Sequence, residues 1–135
     1  MSTAAAPMTR RRSLTVVTWL ARIALALVFL GAGASKLAGE PAMLTMFDQI
    51  GAGQWLRYLV GALEVVGGIG VLVPRLSALA ATGLVLLMVG ATVTNLTVLD
   101  AAPWLPLCLV ALAALVGWLG RGRLRGAGRP PTLEG

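Results

Sequence analysis

Long apolar runs alternate with short polar breaks along the chain, at about residues 14–36, 56–73, 76–99 and 102–120. Each is long enough to cross a hydrocarbon core ~30 Å thick at ~1.5 Å per residue. The pattern predicts an all-α protein, a bundle of four transmembrane helices whose backbone polar groups are satisfied within each helix. From Gly39 to Trp55 turn residues are too frequent for a span. Met43, Leu44, Met46, Phe47 and Ile50 nevertheless recur at helical spacing, Pro41 suits a first helical position and Gly51 a C-terminal cap. This predicts a short interfacial amphipathic helix between the first and second spans, with Asp48 and Gln49 facing water. Its role is that of a plain connector or of a lid over the outer mouth of the bundle.

The polar exceptions inside the spans carry the information. Glu64 is the one ionisable group between Tyr58 and Val73, and a carboxylate in mid-span is costly unless paired or protonated. Arg57, Gly61, Glu64, Gly68 and Arg75 share a helical face, which turns Glu64 toward the bundle interior. In the first span Arg22, Ala26, Phe29, Gly33 and Lys36 form a stripe with a cation near each end. Both cations can snorkel to their interfaces, and Arg22 can equally take a buried partner. Close approach through Gly33 and either Gly61 or Gly68 would bring Arg22 or Lys36 toward Glu64. In the third span Gly83, Gly90, Thr94 and Thr97 share a face with Leu87 and read as a small-residue packing stripe, with Asn95 as a buried amide in need of partners. Glu64, Lys36, Arg22, Asn95 and Thr94 are therefore the candidate polar site, and Gly33, Gly61, Gly68, Gly83 and Gly90 the candidate packing residues.

Composition agrees with the pattern. Of 135 residues, 58% are hydrophobic and 12% charged, against roughly 25% charged in an ordinary globular chain. The net charge of +6 sits in clusters beside apolar runs rather than along a soluble face, so anionic lipid rather than nucleic acid is the expected partner. Residues 1–13, ending in Arg10 to Arg12, and 121–135, with Arg121, Arg123, Arg125 and Arg129, read as basic cytoplasmic tails flanking one membrane domain over 14–120. Arg11 and Arg12 before an apolar run also resemble a twin-arginine signal, but the length of that run and Arg22 within it favour a retained span. With Arg75 in the turn after the second span, the positive-inside bias places both termini in the cytoplasm of a bacterial-type plasma (inner) membrane. The aromatic residues give the same frame: Trp19 and Trp118 at the inner boundary, and Trp55, Tyr58 and Trp104 at the outer one.

The residue inventory limits the chemistry. A single cysteine, Cys108, excludes an internal disulfide or a CxxC pair, and the absence of histidine excludes His-ligated haem and most zinc and iron sites. No metal site and no intrinsic cofactor is expected. Cys108 reads as a small buried hydrophobe, and the glycines of VVGGIG (65–70) as packing residues rather than a phosphate loop. No Ser-His-Asp, paired-carboxylate or HExxH arrangement exists, so a stand-alone hydrolase is not expected. For Glu64 the residues leave open a register-fixing ion pair with Arg22 or Lys36, a proton-carrying carboxylate, and a polar anchor for a quinone head group or a cationic ligand.

Arg22 early in the first span, GAGASKL from Gly31 to Leu37, the polar connector, GALEVVGG from Gly61 to Gly68 and VLVPR from Val71 to Arg75 resemble the DoxX family of small four-helix membrane proteins over about residues 16–120. The resemblance implies an integral membrane protein that in some members is the quinone-linked subunit of a thiosulfate:quinone oxidoreductase. Many relatives carry a histidine near the end of the third span, where this chain has Thr94 and Asn95, a departure that argues against thiosulfate oxidation itself. The expectation is thus an auxiliary subunit of a quinone-linked redox process, with a redox enzyme as partner and oligomerisation compatible with the sequence. Two other readings stand beside it: a small proton-coupled transporter, and a structural assembly protein without a ligand. Against the transporter, small multidrug exporters place their glutamate in the first span, where this chain has Arg22 and Lys36.

Overall fold

The computed structural model describes residues 6–127, with side chains for 11–121. Five helices follow in order: α1 (Ala6–Ala38), α2 (Pro41–Ile50), α3 (Gln54–Leu72), α4 (Ser77–Thr97) and α5 (Trp104–Ala127). All but α2 are long and apolar enough to cross a membrane. Helix α1 continues the hydrogen-bonded ladder back through Arg10 to Arg12, and α5 runs on past Gly120, so helix extends beyond the expected span limits at 14 and 120. Residues 1–5 and 128–135 of the expected tails lie outside the described residues. The protein is a multi-pass integral membrane protein.

The spans pack in a ring: α1 against α3, α3 against α4, α4 against α5, and α5 back against α1. Their inward faces meet in a core of Leu25, Phe29, Val71, Ala81, Leu84, Met88, Ala113 and Val116, all buried. Leu27, Leu79, Leu86 and Leu105 are exposed, as they must be where lipid rather than protein solvates the outer surface.

Glycines set how closely neighbouring helices approach, though not all of those expected. A Cβ on Gly33 would sit 2.7 Å from the Gly61 carbonyl oxygen, and one on Gly68 would sit 3.3 Å from that of Ala26. Thus α1 and α3 touch backbone to backbone along Gly33, Gly61 and Gly68. Between α3 and α4 the close contacts belong to Gly67, whose Cβ would meet Leu84 at 2.5 Å, and Gly70, whose Cβ would meet Ala80 at 2.8 Å. The expected stripe on α4 is corrected here: Gly83 and Gly90 are exposed and have nothing within 4 Å of an added Cβ. The buried face of α4 is Ser77, Ala81, Leu84 and Met88, and Gly83 and Gly90 lie off it.

Helix α2 matches its expected form. Pro41 opens it, and Gly51 closes it in the left-handed conformation at φ 78°, donating its N–H to the Phe47 carbonyl. Phe47 is buried, Met43, Met46 and Ile50 are half-buried, and Asp48 and Gln49 face outward. The helix lies across the end of the bundle opposite the Pro74 turn.

Candidate functional site

Lys36 and Glu64 meet where α1 ends and α3 is three turns old. The Lys36 Nζ lies 3.0 Å from Glu64 Oε2 and donates to Oε1 at 3.2 Å. Glu64 is buried and Lys36 nearly so, their side chains being 3% and 12% exposed. The pair exists because Gly33 and Gly61 remove the side chains that would hold α1 and α3 apart at this level. A Cβ on Gly61 would lie 3.1 Å from the Lys36 Cβ.

Arg22 is not part of this pair. The antiparallel register that sets Gly33 beside Gly61 and Ala26 beside Gly68 puts Arg22 level with the end of α3, more than two turns from Glu64. A guanidinium cannot reach across that separation. Arg22 is fully buried near the Pro74 end, with its guanidinium 5.2 Å from the centroid of the Trp19 ring, a distance suited to cation–π attraction. The idea that Arg22 snorkels out is also corrected by this burial.

Arg57 takes the place beside the pair that the sequence had offered to Arg22. It is 3% exposed and donates to the backbone carbonyl of Lys36 and, through Nε, to the Gln54 Oε1 at 2.7 Å. Its guanidinium also lies 4.2 Å from the Tyr58 ring centroid. The signal that could have found it was its place on the stripe Arg57, Gly61, Glu64, Gly68, since a residue on the interior face of a span is not free to snorkel outward. Arg75, from the same stripe, lies beyond the helix end and is exposed.

A cavity of about 560 Å³ opens beside the ion pair, within the range of roughly 300–1,000 Å³ usual for small-molecule sites. Lys36, Glu64 and Ser35 contribute polar wall, and Thr94, Asn95 and Gly90 of α4 face them across the space. Leu87, Met88, Leu109 and Val60 make the rest of the wall largely apolar, and Met43, Met46, Phe47 and Ile50 of α2 cover the end. Asn95 does line the cavity, but its amide nitrogen donates to the Ala102 carbonyl at 3.2 Å. Its partner is therefore the α4–α5 loop rather than Glu64. The Thr94 hydroxyl donates back to the Gly90 carbonyl at 2.9 Å. Cys108, expected as buried, is exposed on the outer face of α5 and takes no part in the wall, because Pro106 and Leu109 hold the inward face there.

Chemically, the arrangement offers one ammonium that can donate, one carboxylate that can accept, and an apolar enclosure behind them. No group of three potential metal-ligating side chains occurs among the described residues. Across residues 20–117 the chain matches the family model described as the DoxX-like family. Neither a curated protein nor a solved structure matches it.

Proposed function

Since this chain belongs to the DoxX-like family, we propose that it is an auxiliary subunit of a membrane redox process, offering a quinone-accessible site at Lys36 and Glu64. The observation that carries this reading is the Lys36–Glu64 pair in the wall of a mostly apolar cavity within the bundle. A quinone is an apolar body with two carbonyl oxygens, which become hydroxyls on reduction. The Lys36 ammonium is a donor for a carbonyl oxygen and the Glu64 carboxylate an acceptor for a hydroxyl, while Leu87, Met88 and Leu109 suit the ring. When bound, a quinone would supply two-electron redox chemistry that no side chain of this protein can supply. The chain's own residues would orient the head group, exclude water through α2, and hold a proton at the Glu64 carboxylate.

The orientation follows the charges: Arg75 and the basic ends of the chain face the cytoplasm, and α2 with the end of the cavity that it covers faces the opposite side. The partner is then a redox enzyme that docks on the bundle.

The test is quinone binding by the purified protein in lipid nanodiscs, followed by quinone-linked turnover in membranes containing the partner. Wild type should retain quinone above the level of an unrelated four-span protein, and Glu64→Gln should lower turnover without lowering the amount of protein in the membrane. Unchanged turnover in Glu64→Gln would remove the site from the reaction.

A further inference from the structure

Where α3 and α4 leave the Pro74 turn they are pressed together, Gly70 on Ala80 and Gly67 on Leu84, yet beyond Leu84 the cavity lies between Val60 and Glu64 of α3 and Leu87, Gly90 and Ala91 of α4. The two helices therefore separate toward α2. The cavity follows that separation outward. On α4 it is lined by Met88, which is 5% exposed and faces the core, and also by Leu86, which is 68% exposed. Two residues apart in an α-helix is about 200°, so Leu86 and Met88 lie on nearly opposite sides of α4. A cavity that touches both wraps around the flank of the helix, past Gly90, to the surface that lipid covers. The opposite seam has no such gap, since Gly33 and Gly61 bring α1 and α3 into backbone contact.

We propose that the α3–α4 seam is a lateral portal, in which the hydrocarbon tail of an amphiphilic ligand lies between Val60 and Gly90 while its head group reaches Lys36 and Glu64. This rests on the reading of the cavity as a quinone site and names the part of the ligand that reading leaves unplaced. The missing side chain at Gly90 is what keeps the mouth open. The ligand then enters from the bilayer and never crosses α2.

Two measurements in nanodiscs test it. In a Cys108→Ala background, a bimane on Met88→Cys should be quenched by lipids with brominated acyl chains to at least about half the extent seen for Leu86→Cys on the lipid face. Gly90→Phe should reduce that quenching by about twofold or more, and Gly83→Phe, on the same flank but outside the cavity, should not change it. Ala91→Cys serves as a second cavity position if Met88→Cys does not fold. In parallel, Gly90→Phe should weaken binding of an isoprenoid quinone about tenfold and leave a tail-less quinone of the same head group within about twofold. An unquenched cavity label, or equal quenching in the wild type and Gly90→Phe, would overturn the portal. If wild type binds neither quinone, the quinone reading fails, and the brominated-lipid result still decides for or against the portal.

Discussion

Arg57 donates to the main-chain carbonyl of Lys36 while the side chain of the same lysine pairs with Glu64. One residue at the end of α1 is thus held to α3 twice, once by its backbone and once by its ammonium. The Lys36 carbonyl accepts from the Gly39 N–H at 3.2 Å, and the arginine of the neighbouring helix fills its second acceptor site. Arg57→Met should lower the thermal unfolding temperature in detergent, at a cost of about 1.5–3 kcal/mol for the lost charge-assisted hydrogen bond, the Lys36 carbonyl keeping the Gly39 N–H as its remaining donor. Arg57→Lys should recover little, because an ammonium does not reproduce the fork that contacts both Lys36 and Gln54. A wild-type melting profile for Arg57→Met would show that this link contributes nothing.

Breaking the ion pair from one side should cost more than removing it whole. Lys36→Met leaves the Glu64 carboxylate buried without its partner, a change of about 3–5 kcal/mol for a buried pair. The double variant Lys36→Met with Glu64→Met should melt above the single Lys36→Met variant. Additive losses in the double-mutant cycle would argue against coupling between the two side chains.

The two kinds of glycine should behave differently. Gly33→Leu forces α1 away from α3, where the Gly61 carbonyl and Val65 already occupy the space, and should destabilise by about 1–3 kcal/mol or more as overpacking does. Gly83→Leu, which points into open space, should leave the melting temperature within about a degree or raise it through helix propensity. Size-exclusion profiles and thermal melts of the two variants check this directly.

Orientation can be read with thiol reagents. In a Cys108→Ala background, Ala52→Cys beside α2 should react with a membrane-impermeant maleimide on intact spheroplasts. Arg75→Cys, exposed at the other end, should react only after lysis. The reverse pattern would invert the proposed topology.

The fold was legible because lipid-facing helices announce themselves by length and apolar composition, and α2 by its amphipathic spacing between Pro41 and Gly51. The α1–α3 contact was legible for a related reason: Gly33 lies one turn from Lys36, and Gly61 and Gly68 one turn either side of Glu64, so close approach and charge pairing pointed to one interface. Sequence reasoning left Glu64 with two cations to choose from, and only the register of α1 against α3 excludes Arg22. The α4 stripe misled because small residues at helical spacing look the same whether they face a partner helix or a gap. Arg57 was missed because a cation near a span boundary usually reaches for water, and its inward stripe carried less weight than that habit.

The Lys36–Glu64 pair also bears on how the protein is made. Residue 64 emerges 28 positions after residue 36, and α3 is the least apolar of the four spans, with a carboxylate that would cost about 2.5–3.5 kcal/mol to insert alone at mid-bilayer. Helix α1 is already synthesised at that moment and presents both the counter-charge and the groove at Gly33. Insertion of α3 is therefore expected to depend on α1, so that Lys36→Met or Gly33→Leu should raise the fraction of α3 left uninserted, a helix to which neither residue belongs; an unchanged fraction in an insertion assay would show that α3 inserts by itself.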